Sequence, residues 1–99
     1  MDFKQEFIAF EEFLKTHQLS AISQLMWYKM AVLSYSATCQ EWVEVSSTAL
    51  MVQLKIKDKE VFKSNIDELV KCGLITIKKG KDNDLFRYKL NHITKELTN

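Results

Sequence analysis

The fold is decided by residues 58–90, which read DKEVFKSNIDELVKCGLITIKKGKDNDLFRYKL. Asp58 is a favourable N-cap residue, and the helical spacing of apolar residues continues as far as Gly73, a natural helix terminator. The stripe that this helix would bury consists of Val61, Phe62, Ile66, Leu69 and Val70. Two segments that alternate apolar and polar residues then flank a polar loop at 80–84. Residues 74–91 therefore predict a β-hairpin, or wing, directly after the helix.

A second helix is predicted just upstream of this one. Ser46 and Ser47 offer N-cap hydroxyl groups for a helix over residues 48–54, whose apolar side chains would face inward. Only Lys55–Lys57 separate this helix from the next one. Residues 47–72 therefore predict a helix-turn-helix unit.

The segment before this unit combines a long apolar helix with a short strand. Leu19 and Ser20 form a hydrophobic staple and an N-cap for a helix over residues 20–37. Apolar residues lie on more than one side of this helix, which is typical of a central helix buried on two sides. One stripe comprises Ile22, Leu25, Met26, Val32 and Leu33, and the other comprises Trp27, Tyr28, Ala31 and Tyr35. Glu41–Val45 alternates with period two and predicts a strand, in which we interpret Trp42 as a core residue and not as a base-stacking platform.

Residues 2–16 predict an amphipathic helix at the start of the chain. Its apolar stripe comprises Phe3, Phe7, Phe10 and Leu14, widened by Ile8 and Phe13. The first four follow the seam spacing of a two-heptad coiled coil, a length that is marginal on its own. We expect a homodimer or a higher oligomer in which this stripe and the face of Trp27, Tyr28 and Tyr35 form the interface. The alternative is that the helix packs on its own domain and completes the core.

The predicted elements form one domain over residues 1–99, mainly α with a small β-hairpin and therefore of the α+β class. Their order is that of a winged helix-turn-helix with an extra N-terminal helix. The 99 residues are 46% hydrophobic and carry a net charge of +1, which suits a small core and argues against a polybasic tail. Early acidic residues argue against a signal peptide, and no apolar run approaches the ~20 residues of a membrane span, so we expect a cytoplasmic protein without a membrane partner.

Several local strings within residues 19–90 match those of a known family in the right order. They are Leu19-Ser20, QLMWYKM at 24–30, EWVEVS at 41–46, Leu50-Met51, Asp67-Glu68-Leu69 and Gly73-Leu74-Ile75. In these strings the chain resembles the N-terminal domain of phage replisome organisers and DnaD-like primosome proteins. The resemblance implies a winged-helix domain that binds DNA in replication initiation and self-associates. The chain departs from the pattern at Ser64 and Ile66, where related sequences often carry arginine.

The helix after Asp58 would be the recognition helix, whose first turns enter the major groove of double-stranded DNA. The candidate DNA-binding residues are Lys57, Lys59, Lys63, Ser64 and Asn65, on the face that the apolar stripe leaves exposed. Asparagine pairs bidentately with adenine, and lysine contacts guanine. A solvated face of mixed charge is the competing interpretation, because Glu60, Asp67 and Glu68 would repel phosphates.

The wing carries a second group of basic candidates. They are Lys78, Lys79, Lys81, Arg87 and Lys89, with Asp82 and Asp84 opposing them at the tip. Three to five phosphate contacts would give a salt slope of about −3 to −4. Alternatively, these lysines protect edge strands from aggregation.

Catalysis has almost no basis in the sequence. His17 and His92 stand at opposite ends of the chain, and neither adjoins a nucleophile or carboxylate motif. Cys39 and Cys72 are widely separated, and we expect reduced structural thiols and no zinc site or other cofactor. The sequence therefore predicts a protein that is not an enzyme.

Two functions of different kinds remain open. The first is a DNA-binding winged-helix module of a phage or plasmid-type replication initiation protein. The second is a winged-helix adaptor or dimerisation module that docks a replication partner, such as a helicase loader, without touching DNA. The balanced charge and the acidic residues of the recognition helix favour the second.

Overall fold

The computed structural model describes residues 3–36 and 41–93, except for the side chain of Phe3. Its elements are α1 (Phe3–Thr16), α2 (Ala21–Ser36), β1 (Val43–Ser46), α3 (Ser47–Leu54), α4 (Lys59–Lys71), β2 (Ile75–Lys79) and β3 (Leu85–Leu90). This order confirms an α+β domain of the winged-helix type with an additional N-terminal helix. Within these ranges, no helix is long and apolar enough to cross a membrane.

Helix boundaries fall where short polar residues and glycine predicted them. Ser20, Ser46 and Asp58 each accept a backbone N–H bond from the first turn of the helix that follows. Gly73 ends α4 with a φ of +78°, a conformation that side chains disfavour. Lys55 adopts the same left-handed region, with a φ of 59°, where α3 ends. The turn between α3 and α4 is thus fixed by local backbone chemistry.

The wing belongs to a three-stranded antiparallel sheet in the order β1-β3-β2. Val43 pairs with Tyr88, and Ile75 pairs with Leu90, so these four side chains share the face that packs on the helices. The Tyr88 hydroxyl group donates a 2.6 Å hydrogen bond to the carbonyl oxygen of Met30 in α2. The hairpin prediction is confirmed, and β1 adds the third strand that holds the wing against the domain.

The aromatic stripe of α1 completes the core of its own domain. Phe10 is 0% exposed and stacks on Trp27 with ring centroids 3.9 Å apart. Phe7 contacts the edges of Trp27 and Tyr28 and is half-buried, as is Leu14. The prediction that Phe10 and Trp27 form a dimer interface is wrong, because both side chains are buried within a single chain. The predicted contribution of Phe3 lies outside the described side chains.

α2 is buried on one side only. Ser23, Met26, Trp27, Met30 and Ala31 are its buried residues. Leu25 is 54% exposed and Val32 is 46% exposed, although both belong to the first predicted stripe. The expectation of a helix buried on two sides is therefore wrong, because α1, α4 and the sheet cover only the Trp27 side.

A buried carboxylate joins α1 to the end of the sheet. Glu6 is 4% exposed, and its side chain accepts the backbone N–H of Ile93 at 3.2 Å. The Nδ1 atom of His92 lies 3.3 Å from the same carboxylate. Glu6 lies one turn before Phe10, so helical spacing places it on the apolar stripe of α1, but that spacing does not show that residues 92 and 93 lie beside it.

Candidate nucleic-acid interface

A groove of about 610 Å³ runs between α4 and the wing. Its apolar floor is formed by Met51, Phe62, Ile66, Ile77 and Phe86, and its rim by Lys59, Glu60, Lys63, Asp67, Asn83 and Asp84. The recognition helix and the tip of the wing therefore border one concave surface. This is the arrangement in which a winged helix presents a helix and a hairpin to the same ligand.

The turn before α4 supplies a second basic groove next to the first. It has a volume of about 830 Å³ and is lined by Thr48, Met51, Val52, Lys55, Ile56, Lys57 and Lys59. Both grooves share Thr48, Met51 and Lys59. Lys55, Lys57 and Lys63 are exposed, and none has a carboxylate within 4.0 Å in the part of the chain that the structure describes. Their ammonium groups are available for an anionic ligand.

Asp84 fixes the wing to the first helix of the helix-turn-helix unit. Its carboxylate accepts the backbone N–H of Thr48 at 2.9 Å and the hydroxyl groups of Thr48 and Ser46. These hydrogen bonds lower the pKa of Asp84, with a smaller contribution from nearby Lys59. Its negative charge therefore lies against the N-terminus of α3, where a helix favours an anion. The sequence indicated only an acidic residue opposing the wing lysines.

Asn65 is not part of the candidate interface, because its side chain is buried against α2. The residue is 8% exposed, and its side-chain oxygen accepts hydrogen bonds from Ser20 and Ser23 of α2. Its amide nitrogen donates to the carbonyl oxygen of Val61 at 2.7 Å. The prediction that Asn65 lies on the exposed face of the recognition helix is wrong, because α2 crosses α4 at this position. Ser64, one residue earlier, remains exposed.

Glu68 also serves the crossing of α2 and α4. Its carboxylate accepts the backbone N–H of Ser20 at 3.1 Å. Hydrogen bonds from Ser23 and then from the Ser20 backbone lower the pKa of Glu68. Glu68 is thus the counter-charge to the N-terminus of α2, and of the three predicted repelling acids only Glu60 and Asp67 line the groove.

The five basic residues of the wing do not form one cluster. Lys79 is paired with Phe86 in the sheet, so it lies on the side that faces the groove. Lys78, Arg87 and Lys89 occupy alternate positions and lie on the opposite, outer face. Lys81 is exposed in the loop that joins the two strands. Among the basic residues of the wing, Lys79 and Lys81 are therefore the ones that can bind the same ligand as α4.

Trp42 lies on the outer face and not in the core. It precedes β1, which begins at Val43 and not at Glu41 as predicted, and its side chain is half-buried. The Nζ atom of Lys78 lies 4.0 Å from the centre of the Trp42 ring, and that of Lys89 lies 5.3 Å away. The core interpretation is wrong because the alternation that buries Val43 turns Trp42 outward.

The residues considered for catalysis or metal binding remain apart. His17 is exposed and stacks on Phe13, whereas His92 faces Glu6. Cys72 is a free, half-buried thiol at the end of α4, and Cys39 lies outside the described residues. Across residues 3–36 and 41–93, no three His, Cys, Asp or Glu side chains are grouped closely enough to hold a metal ion.

Comparison with known proteins found no similar protein. None of the protein-family models matches the chain, and neither a curated protein nor a solved structure matches it.

Proposed function

We propose that this domain binds double-stranded DNA, with the N-terminal half of α4 in the major groove and the wing on the flanking phosphates. The observation that carries the proposal is the groove that α4 and the wing border together, with Lys59 and Lys63 on its rim. The geometry matches the way in which helix-turn-helix proteins place a recognition helix and a second contact on one duplex.

The charges at this surface favour a polyanion more than the sequence suggests. Asp84 and Glu68 would count against phosphate binding, but both carboxylates are hydrogen-bonded at helix N-termini. Lys57 and Lys63 have no such partner in the described part of the chain. With Lys63 in the major groove, Lys57, Lys79 and Lys81 leave about three phosphate contacts, for which the salt slope is about −3.

Base contacts on this interface fall to α4 alone. Lys59 and Lys63 are one helical turn apart on the groove side, and the exposed hydroxyl group of Ser64 lies beside them. Lysine contacts guanine, and serine contacts several bases. With Asn65 buried, α4 offers no bidentate adenine contact, so we expect modest sequence preference.

A titration of a labelled duplex at about 50 mM and about 200 mM salt tests the proposal. The variant Lys79→Ala with Lys81→Ala should weaken binding and flatten the salt slope by up to about two units, because each phosphate contact contributes about 0.9. The pair Lys4→Ala with Lys15→Ala on α1 makes the same change in net charge and should leave binding unaltered. Wild-type protein that binds no duplex at low salt would refute the proposal.

A role in replication initiation rests on a different basis. We propose it from the resemblance of residues 19–90 to the N-terminal domain of phage replisome organisers and DnaD-like primosome proteins. The QLMWYKM and EWVEVS strings carry that likeness, and such a role would place the protein in the cytoplasm, acting without catalysis. Loss of replication of a dependent phage or plasmid replicon in cells that carry Lys59→Ala with Lys63→Ala would support it; unchanged replication would oppose it.

One observation favours the adaptor function instead. The groove floor is apolar, and Val52 beside it is 70% exposed, whereas phosphate needs no apolar surface. A protein segment with apolar and acidic side chains would suit both the floor and the lysines. If Val52→Ser with Ile77→Ser removes binding of a purified helicase loader and duplex binding is absent, the adaptor function replaces the first proposal.

Self-association is proposed through an exposed strip of α2 in which only Tyr28 belongs to the predicted interface. Leu25 and Val32 are two turns apart on the exposed side of α2, and half-buried Tyr28 lies between them. A homodimer would cover this strip. Leu25→Ser with Val32→Ser should then convert a dimer to a folded monomer in light scattering, and a monomeric wild-type protein would exclude the dimer.

A further inference from the structure

The outer face of the three-stranded sheet is open to solvent. Strand alternation places Trp42, Glu44, Thr76, Lys78, Arg87 and Lys89 on this face, which is defined here as the outer sheet face. Thr76, Lys78 and Arg87 are exposed. The helices pack on the other side of the sheet, where Tyr88 and Ile75 are buried. An aromatic ring and three cations thus share a surface that stabilises no core.

The ring of Trp42 is positioned by two lysines. The Nζ atom of Lys78 approaches the ring centre from the far edge strand, β2, and that of Lys89 from the central strand. Cation–π attraction of this kind contributes about 0.5–1 kcal/mol at an exposed site. The two contacts hold a half-exposed tryptophan over the sheet before any ligand arrives.

The cations on this face form only weak ion pairs with the neighbouring carboxylates. Arg87 lies 3.5 Å from Glu44, and Lys89 lies 3.5 Å from Glu41. Both pairs are long, and Arg87 and Glu41 are exposed, so these pairs contribute little to stability. Lys78 has no carboxylate within 4.0 Å in the described ranges. A phosphate group can therefore take all three cations without breaking a strong interaction.

We infer that the outer sheet face binds single-stranded DNA, with a base stacked on Trp42 and the adjoining phosphates on Lys78, Arg87 and Lys89. Single-strand binding commonly combines an aromatic platform with a positively charged track, because every base has a π-face and every nucleotide a phosphate. Trp42 and its flanking cations supply both parts within two residue pairs of the sheet.

Binding exchanges one set of contacts for another. In the free protein the ammonium group of Lys78 occupies the Trp42 ring. An arriving base takes the ring, and the ammonium group moves to the phosphate of the same strand. The cation–π contact between Lys78 and Trp42 lies at an exposed site and is weak. In the complex it is replaced by two stronger contacts, the base stacked on Trp42 and the charge-assisted bond from Lys78 to phosphate.

Other occupants suit this face less well. In duplex DNA the bases are already stacked and cannot reach a single exposed ring. An acidic peptide could contact the three cations but would leave the ring of Trp42 without a stacking partner. The choice of DNA over RNA rests on the proposed function, because the duplex bound by α4 is the nearest source of a separated strand.

Tryptophan fluorescence provides a specific test. Trp27 is 1% exposed, so a ligand on the surface changes chiefly the emission of Trp42. An oligothymidylate of about 12 nucleotides should quench this emission, and Trp42→Ala should weaken its binding about tenfold, as expected for one stacked base. Trp42→Phe should recover most of the affinity in an assay with a labelled strand, and both variants should keep the wild-type circular dichroism spectrum.

The controls separate this inference from the duplex proposal. Lys59→Ala with Lys63→Ala should weaken duplex binding and leave oligothymidylate binding unchanged, whereas Trp42→Ala should do the reverse. Absence of quenching at low salt would overturn the inference, even if duplex binding is intact. Equal quenching by polyglutamate would reassign the face to acidic proteins, and tighter binding of oligouridylate would reassign it to RNA; either result overturns the single-stranded DNA site.

Discussion

The hydroxyl group of Ser23 in α2 donates a 2.7 Å hydrogen bond to the side-chain oxygen of Asn65 in α4. Ser23 is completely buried, and Ser20 donates to the same oxygen. A buried polar group that loses its partner costs more free energy than the hydrogen bond itself contributes. The crossing of α2 and α4 therefore depends on Asn65 being an asparagine.

Asn65→Ala should lower the free energy of unfolding by about 1–3 kcal/mol, because the hydroxyl groups of Ser20 and Ser23 lose their acceptor. Chemical denaturation measures the change. The neighbouring variant Ser64→Ala alters an exposed side chain of the same helix and should change stability by less than about 0.5 kcal/mol. An Asn65→Ala protein of wild-type stability that loses DNA binding would return this residue to the interface.

Asp84 should make stability depend on pH in the acid range. The hydrogen bonds from Ser46 and Thr48 lower its pKa in the folded state, so the unfolded state binds the proton more readily. The contribution is fully present above the unfolded-state value of about 3.9 and is lost as the pH falls through the lower folded value. Asp84→Asn should therefore be less stable than wild type at neutral pH, and the difference should shrink in acid.

Thermal unfolding from neutral to strongly acidic pH measures this difference. Asp67→Asn is the matched control, because it removes the same charge from an exposed residue of α4. If both variants follow the same pH dependence, the carboxylate of Asp84 does not hold the wing in the way that the hydrogen bonds indicate.

Phe10→Ala should unfold the domain or destabilise it by about 3–5 kcal/mol, since the ring is fully buried and stacked on Trp27. Denaturant titration and light scattering together measure stability and mass. Ile8→Ala, on the exposed side of α1, should change stability by less than about 0.5 kcal/mol. A Phe10→Ala protein that is stable and merely monomeric would restore the seam interpretation of α1.

The elements that local chemistry determines were predictable from the sequence. The N-caps Ser46 and Asp58 and the left-handed Gly73 act within a few residues of their positions. The alternation of β3 likewise fixes which side chains point inward. These signals were sufficient to predict the helix-turn-helix unit and the wing.

The misassigned residues are those whose roles depend on distant partners. Asn65 and Ser23 are 42 residues apart, and Asp84 and Ser46 are 38 residues apart. Helical spacing places Asn65 between Val61 and Leu69 of the apolar stripe, but it does not show that α2 crosses there. Trp42 was misassigned because it and Val43 lie on opposite faces of the strand, and only the pairing with β3 shows which of the two faces is buried. The candidate interface therefore lost Asn65 to the crossing of α2 and α4, and it lost Lys78, Arg87 and Lys89 to the outer face of the sheet.

Tyr88 should make the domain sensitive to alkali. Burial raises its pKa to about 12, so the folded state favours the neutral phenol. Because the unfolded-state value is about 10, the stabilisation is fully present below that pH and is lost as the pH rises from about 10 to about 12. Tyr88→Phe removes this titration, and its stability should fall less than that of wild type over the same interval.

Phenolate absorbance and denaturation, measured together from pH 9 to pH 12, should show this effect. Tyr88→Phe also loses the hydrogen bond to Met30 and should be less stable than wild type by about 1 kcal/mol at neutral pH. Lysine titration is common to both proteins, so it cancels in their difference. The pKa of Tyr28 is also raised to about 12, by burial and then by its hydrogen bond to Glu11, so Tyr28→Phe should reduce the alkaline loss as well and the double variant should reduce it further. If Tyr88→Phe loses as much stability as wild type between pH 10 and pH 12, the buried phenol of Tyr88 is not a cause of the alkaline loss.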